Sequence, residues 1–176
     1  MRFIHVAALV AIVLAPNRPA NAQEWTEYIN KEDGFSAVFP GQPKVETITW
    51  PSEYRMVFPG RVYVATDAMG RYSTTVVDYR TAEKLHRARV DQCRAAEGKN
   101  GLDGDSCQFD FAVEVAGAVN HATWKILQRP NSKLSHFMFY FLEMVTGNLI
   151  QQVDGEGNRI FAAVHMHDGR LYIHEA

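Results

Sequence analysis

Three of the seven histidines fall close together near the end of the chain, at His165, His167 and His174. Asp168-Gly169 between them is a two-residue hairpin signal, because that turn needs positive φ at its central positions. The turn fixes the register: His167 faces Arg170, His165 faces Tyr172 and Ala163 faces His174. Strand alternation then puts Val164, Met166, Leu171 and Ile173 on one face and the three histidines on the other. His165 and His167 are one two-residue step apart, with His174 diagonal to His165 at about 7 to 8 Å. Neutral imidazoles so grouped suit zinc or copper, or sense pH. Against this, no carboxylate in the hairpin completes a ligand set, and Arg170 places positive charge beside His167. The alternative is a polar solvent face opposite a core face. His86, His121 and His136 are scattered, and none is placed by local spacing against a Ser or Cys nucleophile.

Cys93 and Cys107 are the second chemical feature, and their meaning depends on compartment. In an oxidising one an isolated pair reads as a single disulfide. Thirteen residues lie between them, and closing such a loop stabilises by about 3 kcal/mol on the chain-entropy account. The enclosed segment, residues 94–106, holds Gly98, Gly101 and Gly104 and reads as a flexible loop that benefits from a staple. There is no Cys-x-x-Cys and no third cysteine, which argues against a redox or zinc role. Asp103-Gly104-Asp105 lacks the regularly spaced oxygens and terminal Glu of a calcium loop.

The start of the chain supplies the compartment. Val6 to Ala15 is a ten-residue apolar run behind Arg2; as a helix it covers only about 15 Å, half a bilayer core. Ala20-Asn21-Ala22 then places small residues where a signal peptidase admits them. Residues 1–22 therefore read as a signal peptide cleaved between Ala22 and Gln23, and the absence of Cys at that junction argues against a lipid anchor. The leader carries Arg2 and Arg18 and no acid, so 18 basic and 20 acidic residues become 16 against 20, and the 154-residue remainder has a charge of -4. That balance lacks the basic footprint of a nucleic-acid binder, and no later stretch is apolar enough to span a membrane.

Residues 23–176 read as one exported domain, since no Pro/Ser-rich linker divides them. Trp25 to Asn30 and Phe35 to Phe39 flank Lys31-Glu-Asp-Gly34 as a hairpin, with Phe35, Ala37 and Phe39 on one face. Phe39-Pro40-Gly41 and Phe58-Pro59-Gly60 both end apolar runs. Residues 44–49, 54–58, 61–66 and 71–79 alternate as half-buried antiparallel strands. Thr81 caps a surface helix to Glu97 with a thin stripe of Leu85, Ala88 and Ala95. Its face of Arg80, Lys84, Arg87 and Arg94 is solvated and paired through Asp91. A second helix runs from Phe109 to Gln128 on Phe111, Val115, Val119, Ala122 and Ile126. His136 to Leu142 is apolar on both faces, which predicts a central strand covered on each side. Residues 148–153, a turn at 154–158 and residues 159–167 lead into the final hairpin.

No Gly-x-Ser-x-Gly elbow, phosphate loop, dinucleotide glycine fingerprint or His-Glu-x-x-His is present. Trp25-Thr-Glu-Tyr28, Asp33-Gly-Phe-Ser36, Phe39-Pro-Gly-Gln-Pro43, Leu102-Asp-Gly-Asp-Ser-Cys107 and Gly169-Arg-Leu-Tyr-Ile173 together resemble a group of uncharacterised exported proteins of alphaproteobacteria. The resemblance spans most of the chain after the leader and implies compartment and fold only. Members of that group continue past the final hairpin, which implies a less protected last strand here. More loosely, the aromatic hairpin, antiparallel sheet and covering helices are similar to PsbP-like α/β/α sandwiches, a likeness of fold alone. The reading that follows is an α+β fold, a twisted and mainly antiparallel sheet with two helices packed on it, exported to the periplasm or secreted. The leading function is a non-catalytic binding or envelope-assembly module with a protein or small-molecule partner, no nucleic acid and no cofactor. The alternatives are a zinc or copper protein through the histidine hairpin, and a hydrolase of unrecognised type.

Overall fold

The computed structural model describes residues 24–100, 111–142 and 145–176, without the side chains of 97–100 and 142. The signal segment with its Ala22–Gln23 junction, and Cys107 with the Asp103-Gly104-Asp105 turn, lie outside the described residues. The order is β1 (Trp25–Asn30), β2 (Phe35–Pro40), β3 (Lys44–Pro51), β4 (Val57–Thr66), β5 (Arg71–Asp78), α1 (Ala82–Asn100), α2 (Phe111–Leu127), β6 (Ser132–Leu142), β7 (Val145–Asp154), β8 (Arg159–His167) and β9 (Arg170–Glu175). β1 and β2 form a two-stranded ribbon, and the other seven strands form one antiparallel sheet ordered β3-β4-β5-β9-β8-β7-β6. The fold is α+β. Among the described residues no helix is long and apolar enough to cross a membrane.

Two meanders build the sheet. β3-β4-β5 runs first, the helices cross over, and β6-β7-β8-β9 returns so that β9 lies beside β5. The last strand is thus an interior one, paired on both sides, and not the weakly protected strand that the resemblance implies. Its central place explains why Leu171 and Ile173, with Val164 of β8 and Val77 of β5, are buried in the main core beneath Ala118, Ala122 and Ile126 of α2.

Several local expectations change in three dimensions. The second Phe-Pro-Gly triplet ends nothing: Pro59 and Gly60 lie inside β4, opposite Thr49 and Ile48, and the chain turns earlier, at Ser52 to Met56. Pro59 is tolerated because the β4–β5 ladder begins only at Gly60↔Val77, so its missing N–H falls where that ladder has not started. Gly60 is needed for close approach, since a Cβ there would lie 2.9 Å from the Val76 carbonyl oxygen. The helix expected to end at Glu97 continues to Asn100, into the segment read as loop; the inward stripe of α1 is Ala82, Leu85, His86, Val90 and Cys93, while Ala88 and Ala95 face out. Arg87 pairs with Glu83 one turn back, not with Asp91. α2 buries Glu114, Ala118, Ala122, Thr123 and Ile126, and Phe111, expected on the inner stripe, is exposed.

The largest departure is β6. Its apolar run reads as a central strand, yet β6 is an edge, paired with β7 alone, and Phe139 and Phe141 are 75% and 71% exposed. Apolarity on both faces also describes an edge strand whose faces overhang the layers packed on the sheet, and alternation alone does not separate the two cases.

Candidate functional site

The histidine hairpin has the expected register, His167↔Arg170, His165↔Tyr172 and Ala163↔His174. Its histidine face is not a solvent face. The β1–β2 ribbon packs over β4, β5 and β9 on that side, with Phe35, Ala37 and Phe39 against Tyr63, Ala65, Val76 and Tyr172 in a second, aromatic core. The rows running across the sheet explain the local order. Tyr140, Gly147, His165, Tyr172 and Val76 are successive neighbours on five strands, and Met138, Leu149, Ala163, His174, Thr74 and Tyr63 form the next row on six. Imidazole and phenol rings stack along and between these rows, His165 on Tyr172 within one row at 5.1 Å and His165 on His174 of the next row at 5.4 Å.

The structure brings His165 and His174 together and leaves His167 at the exposed end of the hairpin, 3.5 Å from Asp168. Nδ1 of His165 lies 2.9 Å from the Tyr140 hydroxyl, and Nδ1 of His174 lies 3.0 Å from Thr74 Oγ1. Burial, reinforced by His174 and His167, holds His165 down to about 4, and burial also lowers His174. Both rings are therefore neutral at physiological pH. Among the described residues no three His, Cys, Asp or Glu side chains form a group that could hold a metal ion, and neither imidazole hydrogen-bonds a carboxylate. The hydroxyl and imidazole pairs thus lack the third, orienting group of a hydrolytic triad among the described residues.

The ribbon is bolted down at its turn. Arg61 donates through Nε to Asp33 Oδ2 at 2.7 Å and through a second nitrogen to Oδ1, and Tyr63 donates its hydroxyl to the same carboxylate. Tyr172 donates to the Asp33 carbonyl at 2.8 Å, and Arg170 to that of Glu32 at 3.0 Å. Burial alone pushes the Asp33 carboxyl up, but the Arg61 and Tyr63 hydrogen bonds and the Arg61 charge outweigh it and hold the group below its ordinary range. Gly34, at φ +69°, supplies the left-handed turn, with the Tyr172 hydroxyl 3.3 Å from where its Cβ would stand.

Two strands cannot cover seven. At about 4.8 Å per strand the ribbon screens less than a third of the sheet's width, and β8, β7 and β6 continue past it. The step between ribbon and bare sheet is a cleft of about 590 Å³. Trp25, Val38 and Tyr72 form its wall, Ala163, Leu149 and His174 lie on its floor, and Phe161, Met138 and His136 lie on its far side. Trp25 is held edge-on against Tyr72 at 4.7 Å. The lining is mainly apolar, with polar groups confined to Thr74, Gln151, His136, His174 and Glu175 besides Ser73 and Tyr72. Trp25, Val38, Met138, Leu149 and Phe161 are all at least one third exposed, an apolar patch on the surface of the chain.

No family model and no curated protein matches the chain. The cleft is therefore read from its own geometry. Its residues were largely invisible to motif analysis, because each occupies an ordinary alternate position of a strand. The available signal was that the ribbon-side positions of β6 to β8, Met138, Leu149 and Phe161, are apolar although the ribbon is too narrow to cover them.

The described residues hold one further polar device that sequence reading left among scattered residues. His86 of α1 and Glu114 of α2, both almost fully buried, meet at 3.1 Å between Nε2 and Oε2. They clasp the two helices to each other over the core. Cys93, also on the inward side of α1, has its expected partner Cys107 outside the described residues.

Proposed function

We propose that this is an exported binding module that holds an apolar or amphiphilic ligand in the cleft between the β1–β2 ribbon and the uncovered half of the sheet. The observation that carries it is the apolar lining of a cleft of about 590 Å³, within the range of small-molecule sites. Burying the exposed flanks of Trp25, Val38, Leu149 and Phe161 against an apolar body is favourable at about 25 cal/mol per Å². Neutral His174, with its Nδ1 engaged by Thr74, offers Nε2 to a polar head, and neutrality keeps the floor compatible with an uncharged ligand. Export rests on the leader at residues 1–22, and a Cys93 to Cys107 disulfide follows from export. Intact mass of the protein recovered from the envelope is expected to start at Gln23 and to show no free thiol.

Titration with the neutral fluorophore N-phenyl-1-naphthylamine tests the cleft. Saturable one-to-one binding is expected, with energy transfer from Trp25. Ala163→Trp, which fills the floor, is expected to abolish it, while Val113→Lys on the exposed face of α2 leaves it intact. Binding that does not saturate, or that survives Ala163→Trp in a folded protein, overturns the reading.

A further inference from the structure

The two edges of the seven-stranded sheet are treated differently. β3 carries Lys44, Glu46 and a terminal Pro51, charges and a proline that discourage another strand from pairing there. β6 is an eleven-residue edge whose one Lys stands near its start and whose second half is His136-Phe-Met-Phe-Tyr-Phe-Leu142. Its ladder to β7 is regular from His136 onward, the only register shift lying between Leu134 and His136. From His136 onward β6 is a regular, uncharged edge with aromatic side chains on its face, a template for another strand.

We propose that β6 is the interface of a two-fold homodimer, pairing antiparallel with β6 of a second copy about an axis at Phe139 to give one continuous fourteen-stranded sheet. The sequence of β6 is what selects a second copy. With Phe139 opposite Phe139 of the partner copy, residues 137 and 141 become cross-strand neighbours, as do 138 and 140. Phe137, Phe139 and Phe141 share the helix side of the strand, where Phe137 and Phe139 already pack edge-on at 5.1 Å. The two-fold thus builds one ladder of six phenylalanines from two copies of three, with Met138 facing Tyr140 on the other side. Aromatic cross-strand pairs are among the stabilising ones, and an isologous contact requires this self-complementarity.

The area is sufficient. Phe139, Phe141 and Met138 are 75%, 71% and 45% exposed. For aromatic and Met side chains of roughly 200 Å² this leaves about 400 Å² per copy to bury before the strand backbone is counted, which brings the total near the 1,000 Å² of a specific interface. A groove of about 600 Å³ between α2 and β6, lined by Val119, Ala116, Phe139 and Phe141, continues the surface. Each copy has one such edge and a guarded one opposite, so association closes at two.

Sedimentation velocity across micromolar concentrations is expected to show a dimer. Phe139→Lys, which sets two ammonium groups face to face at the axis, is expected to give a monomer with unchanged circular dichroism and at least a tenfold weaker association. Phe139→Cys is expected to form a covalent homodimer on mild oxidation, whereas Lys44→Cys on the opposite edge does not. A wild-type chain that stays monomeric at 100 µM, a dimer undiminished by Phe139→Lys, or cross-linking equal at both positions overturns the proposal. Cleft binding by the monomeric variant reads separately on the function proposed above.

Discussion

The Tyr140 hydroxyl and His165 Nδ1 lie 2.9 Å apart although a whole strand separates their backbones. They meet because the residue between them in the row is Gly147: a Cβ there would stand 2.6 Å from the Tyr140 ring and 2.4 Å from the Val164 carbonyl oxygen. The Tyr140 ring therefore lies over Gly147 and meets His165 edge-on at 6.3 Å, and His165 in turn stacks with Tyr172 and His174. Gly147→Ala is expected to destabilise by about 2 kcal/mol, in the range of overpacked sites. Tyr140→Phe loses only one hydrogen bond and is expected to cost about 1 kcal/mol. Urea denaturation of both variants checks the order, and a reversed order contradicts the packing.

The neutral histidine pair makes stability depend on pH in a definite direction. His165 titrates at about 4 when folded against 6.5 as its ordinary value, so between those values the unfolded chain binds the extra proton. Stability is therefore full above pH 6.5 and falls as pH drops towards 4, by up to about 3 kcal/mol. His174, lowered by burial, acts in the same sense. Thermal melts from pH 7 to pH 4 are expected to show this slope, and His165→Gln to flatten it. A wild-type curve that is level over this window shows that the rings are solvated.

Asp33 governs a separate, more acid window. Its folded value is depressed, so its contribution is complete above about 3.8 and is lost as pH falls below that. Asp33→Asn keeps the shape, weakens the Arg61 and Tyr63 hydrogen bonds, and is expected to cost about 2 kcal/mol. Limited proteolysis is expected to cut the β1–β2 ribbon first in that variant, since the turn bolts it to β4. Cleavage elsewhere in preference would show that the aromatic core alone holds the ribbon.

The His86–Glu114 clasp is expected to behave as one unit. Removing either partner alone, by His86→Leu or Glu114→Leu, leaves a buried polar group and is expected to cost about 3 kcal/mol. The double variant is expected to cost well under the sum, with a coupling of about 1 to 2 kcal/mol in a double-mutant cycle. Additive losses would mean that each residue acts only through its own packing.

Local chemistry made much of this protein legible from residues alone. Gly34 and Asp168-Gly169 set the first and last hairpins because so few residues accept positive φ, and they fixed a register in which every pair from His167↔Arg170 to Ala163↔His174 is as read. Strand phase in the final hairpin followed, since Val164, Leu171 and Ile173 are apolar at every second position. Helix α2 was visible in its period, and Val115, Val119, Ala122 and Ile126 of its expected stripe do pack on the core, but the burial of Glu114 beside them was not. Glu114 is buried because His86, 28 residues earlier, waits for it, and no window along the chain contains both.

Sheet order belongs to the same class of decision. Alternation reports that a strand has an apolar face; it does not report what lies beyond that face or which strand stands beside it. So β6 read as central and is an edge, and β9, the last strand, lies in the middle because the helical crossover returns the second meander against β5. The cleft exists for the same nonlocal reason. A ribbon of two strands, locked by Asp33 to Arg61 and by Tyr172 to the turn, stops short of a seven-stranded sheet, and only the width of one layer against the other leaves Leu149, Ala163 and Phe161 uncovered.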